Sequence, residues 1–433
     1  MPIQFKKKYI FILFLACTFI LFLIGIFIYF LTDDAIDDDS HLQVVRKEVN
    51  SEENGYEKIK ESVNLFIKIK DVTKVQSAYI FTIDKDKRQE LLTKIISHDN
   101  LNKIIDLKLQ REFLKVNKQS LIALETSLEY KKFFFDTEIP LGDYDDQKNI
   151  FDVIKLFKLK FRDNYDQANT SNCLKQISYT FKLAKVYEEN SRYFLDNIIS
   201  WTIKRDNVKA LLACLEGEKI DAESIFNIFG DLEKFKSKPD SYDSFLKFIY
   251  NYTKNELLKM DFTTDPEIGY KGYFIGFIFK KNMTLNQLNK IFTMWIGKKE
   301  NAFVDRSFFQ SIKNYKRKSI HRNSFGDVAV FPLIVSGQLR ANYFIINSKI
   351  TLLNTLIALM RYEARYNKLP DRIDQLIPEY LSKMPLDAFN NKPIKYSKKD
   401  RKIWSVGCEI LDDFDDQVME DNDAVLIIPV MSK

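Results

Sequence analysis

Histidine and cysteine carry most metal and nucleophilic chemistry, and this 433-residue chain has few of either: His41, His98 and His321, with Cys17, Cys173, Cys214 and Cys408. No H-E-x-x-H or H-x-H spacing occurs, and no cysteine lies close to a histidine. A zinc site, or a Cys-His or Ser-His pair, would have to be built on one isolated imidazole. The histidines are therefore expected to be exposed and idle. Cys17 falls in an apolar run, which leaves an odd set of three. A Cys173–Cys214 bridge between neighbouring helices is one reading, and buried free thiols are the other. Acidic residues number 60, and any cleft that converges two of them has the means for glycoside-type hydrolysis. Spacing along the chain does not choose such a pair, because catalytic partners meet in space. No catalytic, cofactor-binding or metal-binding residue is assigned from the sequence, and no cofactor is implied.

The elements around these residues are easier to read. Tyr9 to Leu31 is uncharged, with only Thr18 and Gly25 outside the apolar and aromatic set. As a helix it is roughly 34 Å long, enough for a hydrocarbon core of about 30 Å. Lys6, Lys7 and Lys8 precede it; Asp33, Asp34, Asp37, Asp38 and Asp39 follow. The positive-inside rule then places residues 1–8 in the cytoplasm, a single-pass helix over 9–31 in the inner membrane, and the remainder outside. The run is longer than a signal-peptide core, and Phe30-Leu31-Thr32 is unlike a small-residue cleavage site, so an uncleaved anchor is expected. Residues 32–52, acid-rich and aperiodic, read as a polar tether.

Beyond the anchor the composition is that of an ordinary globular polypeptide, 45% hydrophobic and 29% charged. Leaving out Lys6–Lys8, its net charge is +3, evenly mixed, which gives no electrostatic footprint for nucleic acid. Scarce Gly (12) and Pro (10) favour long helices over turn-rich β structure. Apolar residues step by three and four through Tyr56–Phe66, Leu121–Leu128, Ile150–Phe161, Leu174–Ala184, Phe194–Thr202 and Val208–Leu215. Short polar breaks at Asp163-Asn164, Glu188-Glu189-Asn190 and Gly217-Glu218 imply consecutive antiparallel hairpins, with the aromatic stripes as core. Thr284-Leu285-Asn286-Gln287 has the pattern of a capping box opening a further helix. Lys313, Lys316, Arg317, Lys318, His321 and Arg322 form a local basic cluster, read as a solvated helix face or a contact for anionic headgroups.

After Gly337 the character changes. A long apolar stripe through Ile350, Leu353, Ile357, Met360 and Ala364 predicts a helix to about Asn367, stopped by Pro370. Ile394–Ser397 and Ile403–Val406 predict a hairpin across Lys398–Arg401, and Val425–Val430 a last strand. The fold class expected is mainly α: a transmembrane helix, a helical-hairpin ectodomain over 53–336, and a small α+β module over 337–433.

The run Arg361 to Tyr366, then Leu369-Pro370, Leu376 to Leu381, Pro385-Leu386-Asp387-Ala388-Phe389 and Trp404-Ser405-Val406-Gly407, resembles the C-terminal half of the major pseudopilin of type II secretion systems. It covers about residues 340–416. The same module closes a loosely defined set of bacterial membrane-anchored proteins with a helical middle and no established activity. In pseudopilins the long helix begins as the membrane segment, whereas this apolar run lies far upstream with no prepilin-peptidase site. The resemblance also implies a calcium loop, for which Asp412, Asp413, Asp415 and Asp416 are the available oxygen ligands. Cys408 to Leu411 stand where such a loop has glycines, and a solvated acidic loop is the other reading. Together these features imply a non-enzymatic, single-pass, membrane-anchored envelope protein that contacts an unidentified protein partner outside the cytoplasmic membrane. The alternatives are an extracytoplasmic hydrolase with paired carboxylates, or a component of a secretion or pilus-like machine.

Overall fold

The computed structural model describes residues 35, 37–42, 53–66, 107–133, 145–190, 194–217, 220–259, 281–296, 332–407 and 425–429. The expected anchor over 9–31, the basic cluster over 313–322 and the acidic loop with Asp412, Asp413, Asp415 and Asp416 lie outside them, as do Cys17, Cys408, His98 and His321. Among the described residues there are ten α-helices and three short strands, so the protein is mainly helical with one small antiparallel sheet. The chain divides into two compact units, residues 1–44 with 246–337, and residues 45–245 with 338–433. The stretch 53–336 thus contributes to both.

The larger unit opens with α1 (Gly55–Leu65), α2 (Leu107–Val116) and α3 (Lys118–Ser127). The Asn54 side chain accepts the Tyr56 N–H and so caps α1. Helix α1 lies close on α3 because serines meet there: the Ser62 hydroxyl donates to the Ser120 carbonyl (2.6 Å), and Ser120 returns the bond to Ser62 (2.7 Å). Then come α4 (Asp145–Asp166), α5 (Thr170–Glu189) and α6 (Phe194–Glu216). Cys173 on α5 reaches the Phe161 carbonyl of α4, and Thr180 and Glu188 on α5 reach Asn207 and Lys204 of α6. Tyr179 of α5 meets Phe157 of α4 as well, so in each pair one number rises as the other falls and successive helices run antiparallel, as the short connections require. Ile59, Phe113, Leu124, Phe157, Leu183 and Ile203 are among the buried residues of their common core.

One expected break is displaced. Helix α4 continues through Asp163 and Asn164 to Asp166, and the chain turns at Ala168, which has φ 53°. Asp163 stays helical with its carboxylate oxygens taken by Arg111 Nε (2.8 Å) and Gln167 Nε2 (2.8 Å). The restart is set by Asn169, whose side chain accepts from the Asn172 N–H.

Helix α7 (Ala222–Phe229) is capped by Asp221, which accepts from the Ser224 N–H at 2.7 Å. It ends at Gly230, whose φ of +60° is a conformation that a Cβ disfavours. The strap that follows, Asp231 to Lys238, is held by two asparagines of α10 (Pro332–Tyr366). The Leu232 N–H donates to Asn354 Oδ1 (3.0 Å), and the Ser237 N–H donates to Asn347 Oδ1 (2.8 Å). Those asparagines are two helical turns apart, so one face of α10 fixes both ends of the strap.

Most of the described α10 side chains are buried. Over Asn342–Tyr366 its mean hydropathy peaks at 1.4, long and apolar enough to cross a membrane, yet 89% of that window is buried within the protein. Asn367, at φ 56°, ends it in the left-handed conformation, at the expected place. Strands β1 (Lys395–Ser397), β2 (Lys402–Trp404) and β3 (Val425–Ile427) form an antiparallel sheet in that order. The β1–β2 turn is tied back to α10 by a two-pronged pair, the Arg401 guanidinium donating to both Glu363 oxygens at 2.8 Å. The buried Asp387 accepts from Ser405 Oγ (2.9 Å), Ser348 Oγ (3.3 Å), the Phe389 N–H (3.0 Å) and the Val406 N–H (2.7 Å). Gly407 lies so near the Phe389 ring that a Cβ would come within 2.3 Å of it.

In the smaller unit, α8 (Pro239–Lys259), from Leu246 onward, and α9 (Lys281–Trp295) hold part of the stretch expected as a free tether. Ser40–Leu42 forms a 3₁₀ turn, and Leu42 is fully buried. The expected capping box is not a helix start: α9 begins at Lys281, and Thr284 is a buried residue of its first turn.

Candidate functional site

Every third or fourth residue of α5 from Phe181 shares a face, which brings Phe181, Lys185 and Glu188, with Glu189 beside it, to one side. The strap crosses this end of the α5–α6 hairpin, and a small, shallow cleft lies between them. Beneath it Phe181 stacks on Phe235 with ring centroids 4.3 Å apart, and Phe229 meets both edge-on; Phe181 and Phe229 are buried, so Phe235 supplies the aromatic surface. Its rim is cationic. Lys185 and Lys204 from the helices meet Lys234, Lys236 and Lys238 from the strap.

At the cleft's inner end, Lys204 and Glu188 form an ion pair with side chains only 2% and 6% exposed. The ammonium also donates to Ser237 Oγ at 3.0 Å. Burial pushes the Lys204 ammonium below its ordinary range, and the Glu188 carboxylate opposes that shift. One side chain therefore joins α5, α6 and the strap. Glu188 is the acceptor of this bond, which makes the pair a structural lock rather than a poised base. Three of the outer lysines are also paired, Lys185 and Lys238 with Glu189 (3.8 and 3.2 Å) and Lys236 with Glu233 (2.7 Å), while the Lys234 ammonium donates to the Phe229 carbonyl at the end of α7. Five ammonium groups against three carboxylates leave the site net positive. Lys185 and Lys238 have side chains 54% and 67% exposed, so their charges face water. The arrangement suits electrostatic capture of an anionic group beside an aromatic surface.

The residues singled out by their chemistry in the sequence do not converge here. Cys173 and Cys214 are buried thiols not bridged to each other, which decides between the two readings of that pair. His41 is exposed but not idle, since its Nε2 lies 2.7 Å from Thr293 Oγ1. Among the described residues, no group of three or more His, Cys, Asp or Glu side chains is placed to hold a metal ion. The cleft was missed in the sequence, although a signal existed. Lys204 is a charge on a face of α6 otherwise made of uncharged residues such as Ser200, Trp201, Asn207 and Val208, and Lys234, Lys236 and Lys238 cluster around Phe235.

The chain matches no family model, no curated protein and no solved structure.

Proposed function

We propose that this is a non-enzymatic, single-pass membrane-anchored envelope protein that binds another protein outside the cytoplasmic membrane. The apolar run Tyr9–Leu31, with lysines before it and aspartates after, supports the anchor and its orientation. The buried α10 does not compete for that role, because its apolar surface is already covered by its own unit. The lysine-rimmed cleft carries the binding reading, and the partner segment it suits is acidic. Of the described buried carboxylates Glu188, Asp196 and Asp387, the first accepts from a paired lysine and the last from four donors, so these two lend a hydrolytic reading no support. The order of long helix then three-stranded sheet, with the Asp387 turn, supports a second reading, a component of a secretion or pilus-like machine.

Two measurements test this. Membranes washed with carbonate should retain the protein until detergent is added, and a C-terminal tag should be digested by protease added to spheroplasts. Recovery in the wash, or a protected tag, would remove the anchor reading. A glutamate-rich peptide should bind the detergent-solubilised protein in a salt-dependent way. Binding should weaken about tenfold or more when Lys185 and Lys238 are changed to Glu, by the steep dependence of anion capture on local charge. Binding indifferent to both salt and these changes would exclude the cleft as the site. Co-purification with envelope secretion components would favour the second reading.

A further inference from the structure

Three residues separate Leu31, the last of the apolar run, from Ala35. From Ala35 to Leu42 the backbone is bound to α8 and α9 through side-chain amides. The Asp37 N–H donates to Asn286 Oδ1 (2.7 Å), and Asn286 Nδ2 donates to the Ala35 carbonyl (2.5 Å). Asn289 Nδ2 donates to the Asp38 carbonyl (2.9 Å) and Asn251 Nδ2 to the Leu42 carbonyl (2.8 Å). Asp39 accepts from both the Tyr250 hydroxyl and the Lys254 ammonium. Burial, and then this bond to Asp39, keep the Tyr250 phenol protonated far above its ordinary range. Leu42 closes the series with its side chain fully buried.

Side-chain amides that grip main-chain groups in this way fix a segment's path independently of its own sequence. A freely jointed linker of this length would leave such groups to water. We infer that residues 35–42 are a rigid neck that seats the smaller unit directly on the lipid headgroups, rather than a tether that lets it range away from the bilayer. The inference rests on the anchor reading. Given that reading, four Cα steps from Leu31 to Ala35 span at most about 14 Å, which is less than the polar zone plus one helix diameter.

The test uses the full chain reconstituted in phosphatidylcholine vesicles, with an environment-sensitive fluorophore at exposed position 290 and spin-labelled headgroups as quencher. The wild type should be quenched strongly. A ten-residue Gly-Ser spacer inserted after Asp33 leaves the clamp intact and should reduce quenching several-fold. The pair Asn286→Ala and Asn289→Ala should reduce it as well, with helical circular dichroism unchanged. Should the pair fail to fold, the spacer arm alone decides. An unquenched wild type that still needs detergent for extraction, or quenching unmoved by the spacer, would overturn the neck. Extraction without detergent would instead remove the anchor on which it stands.

Discussion

The larger unit buries charge in two ways. Lys204 and Glu188 bury a cation and an anion together, joined across α5, α6 and the strap by residues up to 33 positions apart. Asp387 buries an anion alone and satisfies it with two hydroxyls and two backbone N–H groups, all within 39 positions. The first depends on a partner's opposite charge, the second on preorganised dipoles. Their responses to mutation should therefore differ in kind. An ion pair is worth little net, but either half left alone is costly. A solvated-by-protein carboxylate has no half to leave behind; its loss orphans neutral donors instead.

The largest effect is expected at the ion pair. Lys204→Met leaves Glu188 buried without its counter-ion and should cost about 4 kcal/mol, while Lys204→Met with Glu188→Leu should return to within about 1 kcal/mol of wild type. Denaturant unfolding of the full chain in micelles measures the cycle. Additive losses would show that the pair is not coupled. Asp387→Ala should cost about 3 kcal/mol by orphaning four donors, and no second substitution should rescue it. Asp387→Asn retains one oxygen acceptor and should cost about half as much. If the alanine variant were near neutral, the turn around Asp387 would not be held by its carboxylate.

Next in size is the strap. Asn347→Ala removes the acceptor for the Ser237 N–H, and Asn354→Ala removes that for Leu232. Each should cost about 2 kcal/mol, the expected size for one buried orphaned amide plus lost packing. Because both hold the same short segment, the double variant should cost less than the sum. Amide exchange at Leu232 and Ser237 should rise in either variant before exchange in α5 does. Equal acceleration everywhere would show that the strap does not open by itself.

The same contrast explains what could be read from the sequence. The end of α10 near Asn367 and the β1–β2 hairpin were legible because each is written locally: an apolar stripe stopped by Pro370, and two short strand patterns across a four-residue turn. Observed strands Lys395–Ser397 and Lys402–Trp404 differ from the expected hairpin by a residue or two at the ends. The hairpin helices were legible from their period, but not where α4 stops, since Asp163 has partners in Arg111 and Gln167 that the sequence does not display. Thr284 had the composition of a cap and lies buried inside a helix that begins at Lys281. The cleft was hidden because Asn347 and Asn354 meet the strap across 110 and 122 residues. In the periodic pattern they are only polar interruptions of an apolar stripe. The neck was misread as a tether because its grip belongs to α8 and α9, and its own composition is that of a linker.

The smallest expected effect isolates a single group of the module. The Tyr396 hydroxyl donates to the Pro370 carbonyl at 2.8 Å, which fastens β1 to the chain just beyond α10. Burial is the main cause that raises its phenol to about 12 from an ordinary 10.0, with Arg401 opposing and Asp371 and Glu363 adding. Between pH 10 and 12 the folded chain then binds more protons than the unfolded one, so stability must fall as pH rises through that window. Below pH 10 the contribution is complete. Tyr396→Phe should remove this part of the slope and, at neutral pH, cost about 1 kcal/mol for one lost hydrogen bond. The difference between wild-type and variant unfolding curves at pH 8, 10 and 11.5 isolates Tyr396 from the other 20 tyrosines. A difference that stays constant across the three pH values would mean that this phenol ionises no later in the folded protein than in the unfolded chain. The hydrogen bond to Pro370 would then act without the burial that accompanies it here.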